Sequence, residues 1–185
     1  MDPDSGRAGA AGGLLMNLWF RLLRVLIGGL LKPRLSLRDE SCLRFKTALS
    51  DLDLYGHMNN GRFLTLMDLG RIDLIRRSPL AAVIRDHRWN PLVGSVLMRY
   101  RRPLLFGETF ELHTRILCWD EKWFYLEQRF EKSGQSAAVG LVKGLFMSPG
   151  GAVPVPRVLK ECGWSGVSPE IPEKIRRWAE AENLR

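Results

Sequence analysis

The fold of this chain is decided by residues 51–63, DLDLYGHMNNGRF, and by the amphipathic segment that follows them. The stretch places two carboxylates, an imidazole and two carboxamides within ten residues. Gly56 can adopt backbone angles that are closed to other residues, so the chain can turn sharply and bring Asp53 near His57. The pattern indicates a reaction centre, although the same residue types also suit an ordinary turn before a helix.

A helix follows the motif, from about Asn60 to Arg77. Asn59 or Asn60 suits its N-cap, because a short side-chain oxygen can accept from the first free N–H groups. The helical period places one set of residues on a buried face: Phe63, Leu66, Met67, Gly70 and Leu74. It places another set largely opposite: Arg62, Thr65, Asp73 and Arg76. A glycine on the buried face makes sense if the helix lies close against a sheet.

Strand patterns surround this helix. Residues 41–49 precede it, alternating residues 96–101 and 110–116 follow it, and then come residues 123–131 and a nearly continuous apolar run at 137–147. Alternation predicts half-buried antiparallel strands, whereas the continuous run belongs at the centre of a sheet. A long helix lying across one antiparallel sheet is an α+β architecture.

The motif Asp-x-Asp-x-x-Gly-His-x-Asn-Asn, with an aromatic residue three places on, resembles the active-site loop and central helix of hotdog-fold thioesterases of the 4-hydroxybenzoyl-CoA type. The residues of this motif also look like those of the subgroup named thioesterase superfamily member six, whose members begin with an apolar segment. The resemblance covers about residues 41–147. It implies a hotdog fold, in which an antiparallel sheet wraps around one long central helix, and a homodimer or higher homo-oligomer with the site at the interface.

By this resemblance Asp53 falls where the family carries its catalytic carboxylate. Asp53 would act as general base on water, or attack the carbonyl to give a mixed anhydride. Backbone N–H groups near Asn60 and Gly61 would polarise the carbonyl, since they are fixed in advance and aided by the helix dipole. His57 would orient the substrate or donate to the oxyanion; the alternative is a turn histidine that bonds its own backbone. Asp51 is interpreted as a turn or strand-end residue.

Further residues are predicted to bind substrate: Asn59, Phe63, Asp68, Arg99 and Arg101. Asp68 is included because an acidic residue at this helical position is common in the resembling proteins; the alternative is an ion pair with Arg71. Arg99 and Arg101 belong to the densest basic cluster and are candidates for phosphate contacts. Phe63 also suits plain core packing.

The resemblance implies an acyl-CoA thioesterase, acting on a fatty acyl thioester, with coenzyme A as part of the substrate and no separate cofactor. The alternative is a non-catalytic acyl-thioester binding protein, or a membrane-associated interaction protein, on the same fold. A serine triad is disfavoured because the sequence has no Gly-x-Ser-x-Gly elbow.

The composition limits the number of domains, the partners and the location that fit these interpretations. The chain has 185 residues, 45% apolar and 26% charged, which is typical of one globular domain. Its net charge of +8 suits a phosphorylated ligand or an anionic membrane; no motif supports nucleic acid as a partner. Three widely spaced cysteines and three histidines predict a reducing, cytoplasmic location and no metal site.

Both ends lie outside the predicted domain, residues 38–148. Residues 1–13 are predicted to be a disordered leader, and residues 14–34 an apolar helix with one polar stripe: Asn17, Arg21, Arg24 and Gly28. Such a helix suits peripheral membrane contact through residues 14–31, or else packing on the domain or in a dimer. Residues 149–185 are predicted to be an irregular extension that ends in a helix.

Overall fold

The computed structural model describes residues 7–183, and the side chains of residues 17–182. Its helices are α1 (Arg7–Leu31), α2 (Asn60–Arg77), α3 (Leu80–His87), α4 (Val155–Glu161) and α5 (Glu173–Asn183). Its strands are β1 (Ser41–Lys46), β2 (Asn90–Tyr100), β3 (Thr109–Trp119), β4 (Phe124–Lys132), β5 (Gln135–Ser148) and β6 (Gly151–Val153). A short 3-10 turn, Leu49–Asp51, connects β1 to the motif loop.

One antiparallel sheet curls around α2, in the strand order β1-β3-β4-β5-β2, with β6 paired to the end of β5. This confirms the α+β hotdog architecture and the predicted bounds of the central helix. The apolar run in β5 lies inside the sheet, between β4 and β2. β2 forms one edge and is more exposed than its alternation predicted, because no further strand of the described chain covers it.

Gly70 allows α2 to lie close to the sheet, as its position on the buried face predicted. A Cβ atom built at Gly70 would come within 2.8 Å of the Gln128 Nε2 atom and would also overlap the Thr114 hydroxyl. Both contacts lie below the separations that real Cβ atoms show, so only glycine fits here without a local shift.

The first helix packs against α2, and this corrects the predicted orientation of Asp73. Asp73 was placed on the open face of α2, but it is buried, accepts from the Ser41 hydroxyl at 2.6 Å and pairs with Arg77 at 2.9 Å. Gly29 of α1 lies over the other oxygen of this carboxylate. The helical period marks two faces, but it cannot show that a second element covers the polar one.

Asn17 and Arg21 of the polar stripe of α1 face the protein, Arg24 is exposed, and most of the large apolar residues face outward. Asn17 donates to the Ser50 hydroxyl at 2.6 Å, and Arg21 reaches Asp51 and the Lys46 carbonyl. Only Val25 on this helix is fully buried among its apolar residues with described side chains. The outward residues are Trp19, Phe20, Leu23, Ile27, Leu30 and Leu31. The helix therefore packs through two hydrogen-bonding residues and through Leu18, Leu22 and Val25, and it leaves its other apolar residues open.

The helix α1 begins at Arg7, earlier than the predicted start at residue 14. Alanine has the highest helix propensity, and the three alanines between residues 8 and 11 extend the helix backward. Residues 1–6 of the predicted leader lie outside the described residues. Within the described chain, no helix combines the length and hydropathy that crossing a bilayer requires.

The C-terminal segment is more regular than predicted. Residues 149–161, expected to be irregular, form β6 and α4, because a turn at Gly151, with a φ of 109°, returns the chain along β5. Pro156 then lies in the first turn of α4, where its missing N–H has no intrahelical partner to lose. The predicted terminal helix is α5, and its Ile175 is fully buried.

Candidate functional site

The motif loop is a tight turn that fixes the Asp53 carboxylate. Its Oδ1 atom accepts from the backbone N–H groups of Tyr55 at 2.9 Å and His57 at 3.4 Å. Asp53 N–H in turn donates to the His57 carbonyl at 2.8 Å, and Gly56 closes the turn with a φ of 77°. No described residue donates to Oδ2 of this half-buried carboxylate. The turn therefore holds one oxygen and leaves the other available.

Asp51, the other carboxylate of the motif, is buried and fully engaged. It accepts two hydrogen bonds from Arg21, pairs with Arg62 at 3.2 Å and accepts from the Ala48 N–H at 2.8 Å. A buried carboxylate that is satisfied in this way has no free oxygen for chemistry. Asp51 thus ties α1 and the start of α2 to the turn before the motif.

The start of α2 lies directly beyond this turn. Asn59 is the N-cap, and its side-chain oxygen accepts from the Gly61 N–H at 2.8 Å. The cap therefore occupies the amide of Gly61, one of the two predicted carbonyl-binding donors. Among the described residues, none accepts from the Asn60 N–H, which lies at the positive end of the helix dipole.

The imidazole of His57 is exposed and has no hydrogen-bond partner among the side chains of residues 17–182. Its backbone pairs with Leu105, and the next residue, Met58, donates to the Leu104 carbonyl at 2.8 Å. These bonds pin the motif loop to the β2–β3 connection. The structure thus places Asp53 and His57 on one hydrogen-bonded loop, directly before the first amides of α2.

Phe63 and Asp68 lie on different faces of α2. Phe63 is a core residue, with its ring centroid 4.8 Å from that of Phe130 and 5.2 Å from that of Tyr100. Asp68 is mostly exposed and pairs with Arg71, the ion pair that was the alternative interpretation of this residue. Arg71 also donates to the buried Gln128 side chain at 2.7 Å. Burial lowers the pKa of Arg71, although the Asp68 charge opposes this effect.

Arg99 and Arg101 project from the end of β2, at a groove that Gln135 and Ser136 also line. Tyr100 lies between them and donates from its hydroxyl to the Asn60 carbonyl at 3.3 Å. This bond ties the end of β2 to the start of α2, whereas alternation along the strand points Arg99 to the other face of the sheet. The two arginines are exposed, so their charges are available to a ligand at this end of β2.

An apolar cavity of about 260 Å³, which no sequence pattern predicted, lies between α2 and the sheet. Asp68 and Arg71 are among its few polar lining residues, and its apolar lining includes Ile72, Ile75, Leu92, Phe124 and Phe146. These residues come from α2, β2, β4 and β5, so no local pattern could group them. Gln128 was also missed; its only signal was a polar residue in the middle of an aromatic-rich strand.

The sequence of this chain is similar to the sequences of known proteins. A model of the thioesterase-like superfamily matches residues 47–179. The chain is 37% identical to the protein THEM6 of Xenopus laevis over 69% of this chain and 61% of that one. It is 45% identical to THEM6 of Danio rerio over 49% of this chain and 45% of that one. Against THEM6 of Drosophila melanogaster, identity is 29% over 91% and 88% of the two chains.

Solved structures of thioesterases are also similar to this chain. A thioesterase of Thermus thermophilus, solved with coenzyme A and zinc, is 28% identical, with a TM-score of 0.57 over 65% of this chain and 94% of that one. The probable thioesterase YbaW of Escherichia coli shares the fold, with a TM-score of 0.61 and 21% identity over 65% and 97% of the two chains. These findings confirm the resemblance of the motif, and the chain belongs to the thioesterase-like superfamily.

Proposed function

We propose that the protein hydrolyses a fatty acyl-CoA thioester, with Asp53 as the catalytic carboxylate. The observation that carries this proposal is the half-buried Asp53, held by two loop amides beside the open N-terminus of α2. The superfamily and its members named as thioesterases support the reaction class, and the Thermus thermophilus relative solved with coenzyme A supports the substrate class.

The hydrolysis needs a base, an oxyanion site and a leaving-group proton. Asp53 takes a proton from water as the water oxygen attacks the thioester carbonyl. The Asn60 N–H, aided by the helix dipole, stabilises the oxyanion of the tetrahedral intermediate. The C–S bond then breaks, and the proton held by Asp53 passes to the departing thiolate. His57, exposed and unpaired among the described side chains, contacts the substrate at the same loop.

The acyl chain has a track from this loop to the apolar cavity. Residues spaced by three or four lie on one face of a helix, and such a row runs along α2 from Gly61 through Leu64 and Asp68 to Ile72. The row reaches the cavity at Asp68, about 10 Å along the helix axis from Gly61 at a rise of about 1.5 Å per residue. A fatty acyl group is long enough to follow this row, whereas an acetyl group is not.

Coenzyme A would place its phosphates at the other end of the track. Arg99 and Arg101 are exposed at the end of β2, a strand end that Tyr100 ties to the Asn60 carbonyl at the start of α2. Guanidinium groups bind phosphate oxygens with two hydrogen bonds each, so they suit the nucleotide end of the substrate.

The protein is also proposed to act as a homodimer. The edge strand β2 presents eleven residues with an open hydrogen-bonding edge, and its exposed residues include Leu92, Val93 and Leu97. A long, exposed apolar edge is a template for pairing with a second copy. Since β2 also borders the cavity and the start of α2, a partner there would close the acyl track against water.

Peripheral membrane contact through α1 is the third element of the proposal. The outward face of this helix carries six large apolar residues beside the exposed Arg24, and the stretch Arg7–Leu31 contains arginines but no acidic residue. Arg24, Lys32, Arg44 and Lys46 line a groove between α1 and β1. Apolar side chains beside such cations complement an anionic lipid surface, where a fatty acyl substrate would also partition.

The reaction is tested by assaying the purified protein against acyl-CoA esters of graded chain length, with release of free thiol as the readout. Turnover is expected to rise from acetyl-CoA to long-chain esters, and Asp53→Asn is expected to be inactive. A protein that binds these esters without hydrolysing any of them would contradict the proposal and favour a non-catalytic binding protein.

A further inference from the structure

The outer face of the sheet, opposite α2, carries a second cluster of chemically active side chains. In the register of β1 and β3, Cys42 lies opposite His113, and in that of β3 and β4, Glu111 lies opposite Glu131. Opposed residues, and residues two apart on one strand, share a face of the sheet. Residues that are far apart in the sequence therefore converge at one point, which is why sequence spacing predicted no metal site.

Donor atoms surround the Nε2 atom of His113 at separations typical of metal ligands. Glu111 Oε2 lies at 3.6 Å, Glu131 Oε2 at 3.8 Å and Cys42 Sγ at 4.0 Å from it. Ligating atoms of Cys42, Glu111 and His113 all lie within 4.8 Å of one another. Tetrahedral zinc, with bonds of about 2.0 to 2.3 Å, separates its ligands by about 3.3 to 3.8 Å, so small side-chain shifts would complete the site.

The imidazole is already oriented for such a role. His113 Nδ1 lies 2.8 Å from Glu40 Oε1, and Arg129 holds Glu40 with contacts of 2.9 and 3.2 Å. When Nδ1 donates to a carboxylate, the lone pair of Nε2 points the other way, as it does in histidines that ligate zinc. Arg129 also binds Glu131 through Oε1, which leaves Oε2 for the cluster.

The thiol distinguishes this cluster from a plain imidazolium–carboxylate network. A protonated His113 would gain from Glu40, Glu111 and Glu131 but would need nothing from Cys42. Cys42 is exposed, so an ion can reach it from solvent. Thiolate, imidazole and carboxylate together are the ligand set that zinc prefers, whereas magnesium and calcium prefer oxygen alone.

We propose that Cys42, Glu111 and His113 bind one zinc ion, with Glu131 or water as the fourth ligand. The site joins β1 to β3 on the face of the sheet that lies away from α2. It is separate from the motif loop, so it acts on stability rather than on hydrolysis. Glu40 is a positioning residue that fixes the ring of His113.

Titration of the untagged full-length protein with Co²⁺ tests the proposal. Tetrahedral cobalt bound to a thiolate gives visible d–d bands and a near-ultraviolet charge-transfer band, and both are expected to saturate at one equivalent. Cys42→Ser is expected to abolish the charge-transfer band, whereas Cys162→Ser is expected to retain it. Glu40→Gln is expected to weaken affinity by about 10- to 100-fold, as loss of a ligand-orienting group does.

Thermal unfolding gives a second readout. Zinc is expected to raise the Tm of the wild type and of Cys162→Ser but not that of Cys42→Ser. Without metal, Cys42→Ser and the wild type are expected to have the same Tm. Absence of saturable cobalt binding by the wild type, or equal binding by Cys42→Ser, would overturn the site.

Discussion

Arg21 of α1 donates two hydrogen bonds to the Asp51 carboxylate, at 2.6 and 3.0 Å, in an environment where the Asp51 side chain has no exposed surface. The same carboxylate pairs with Arg62 at the start of α2. One buried group thus joins the N-terminal helix, the turn before the motif and the central helix. The first acidic residue of the motif is fully engaged in the fold, whereas Oδ2 of the second, Asp53, accepts no hydrogen bond from the described residues.

Asp51→Asn is expected to lower the free energy of unfolding by about 3 to 5 kcal/mol, because it leaves two buried guanidinium groups without a counter-charge. Urea unfolding of the purified protein measures this change. Asp53→Asn is the matched control, two residues away, and is expected to change stability by no more than about 1 kcal/mol. Equal losses for the two variants would contradict the structural role assigned to Asp51.

Gly70→Ala is expected to destabilise the protein by about 1 to 3 kcal/mol, although alanine is the better helix former. Its Cβ would approach Gln128 Nε2 to 2.8 Å at the contact between α2 and the sheet. Gly28→Ala, in α1, is the control, because a Cβ there meets no atom within 4 Å. Thermal unfolding should show a lowered Tm for Gly70→Ala and an unchanged Tm for Gly28→Ala. A Tm unchanged by Gly70→Ala would show that α2 does not lie this close to the sheet.

Lys174 of α5 lies 3.2 Å from Glu127 of β4, and acid is expected to weaken this ion pair. Burial raises the pKa of Glu127, but hydrogen bonds and charges from Arg115 and Lys174 outweigh it and hold this pKa below its ordinary value of 4.5. A carboxyl with a lowered folded-state pKa contributes stability above its unfolded pKa and loses it as the pH falls through the folded one. Unfolding free energy should therefore drop as the pH falls below 4.5.

The same measurement on Glu127→Gln isolates this group. The variant is expected to be less stable at neutral pH and to show a shallower loss of stability in acid, because it has no proton to take up. If the unfolding free energy of the wild type and that of the variant fell identically in acid, Glu127 would not contribute to the pH dependence of stability.

Leu97→Arg is expected to break the proposed dimer, because it places a charge on the exposed edge strand β2. Light scattering after size exclusion should give half the wild-type mass, with loss of hydrolysis. Val167→Arg, on an exposed residue of the C-terminal segment, should keep the dimer mass. A wild type that is monomeric and fully active would contradict a site closed by a second copy.

Replacement of Leu23 and Ile27 by Gln is expected to abolish co-sedimentation with vesicles of phosphatidylcholine and phosphatidylserine. Wild-type binding should weaken at high salt, because screening reduces the attraction of the flanking cations to anionic lipid. Leu49→Gln is a control at an exposed leucine outside α1. A double variant that still sediments, or that changes the oligomeric mass instead, would contradict a lipid partner for this face.

Sequence patterns predicted correctly those features of the fold that depend only on residues close together in the chain. The bounds of α2, its N-cap and the need for Gly70 follow from helical period and from side-chain chemistry within one turn. The prediction for Asp73 was wrong because α1, far away in the sequence, covers it. The apolar cavity and the Cys42–His113 pair stayed hidden for the same reason, since strand register rather than spacing brings their residues together.

The role of Asp53 is tested most directly by measuring both the binding and the hydrolysis of one long-chain acyl-CoA by the wild type and by Asp53→Asn. Asp53→Asn is expected to bind the ester as the wild type does while its kcat falls by about 10² to 10⁴-fold, the usual contribution of a general base. A variant that hydrolyses the ester at the wild-type rate would contradict the assignment of Asp53 as the catalytic carboxylate.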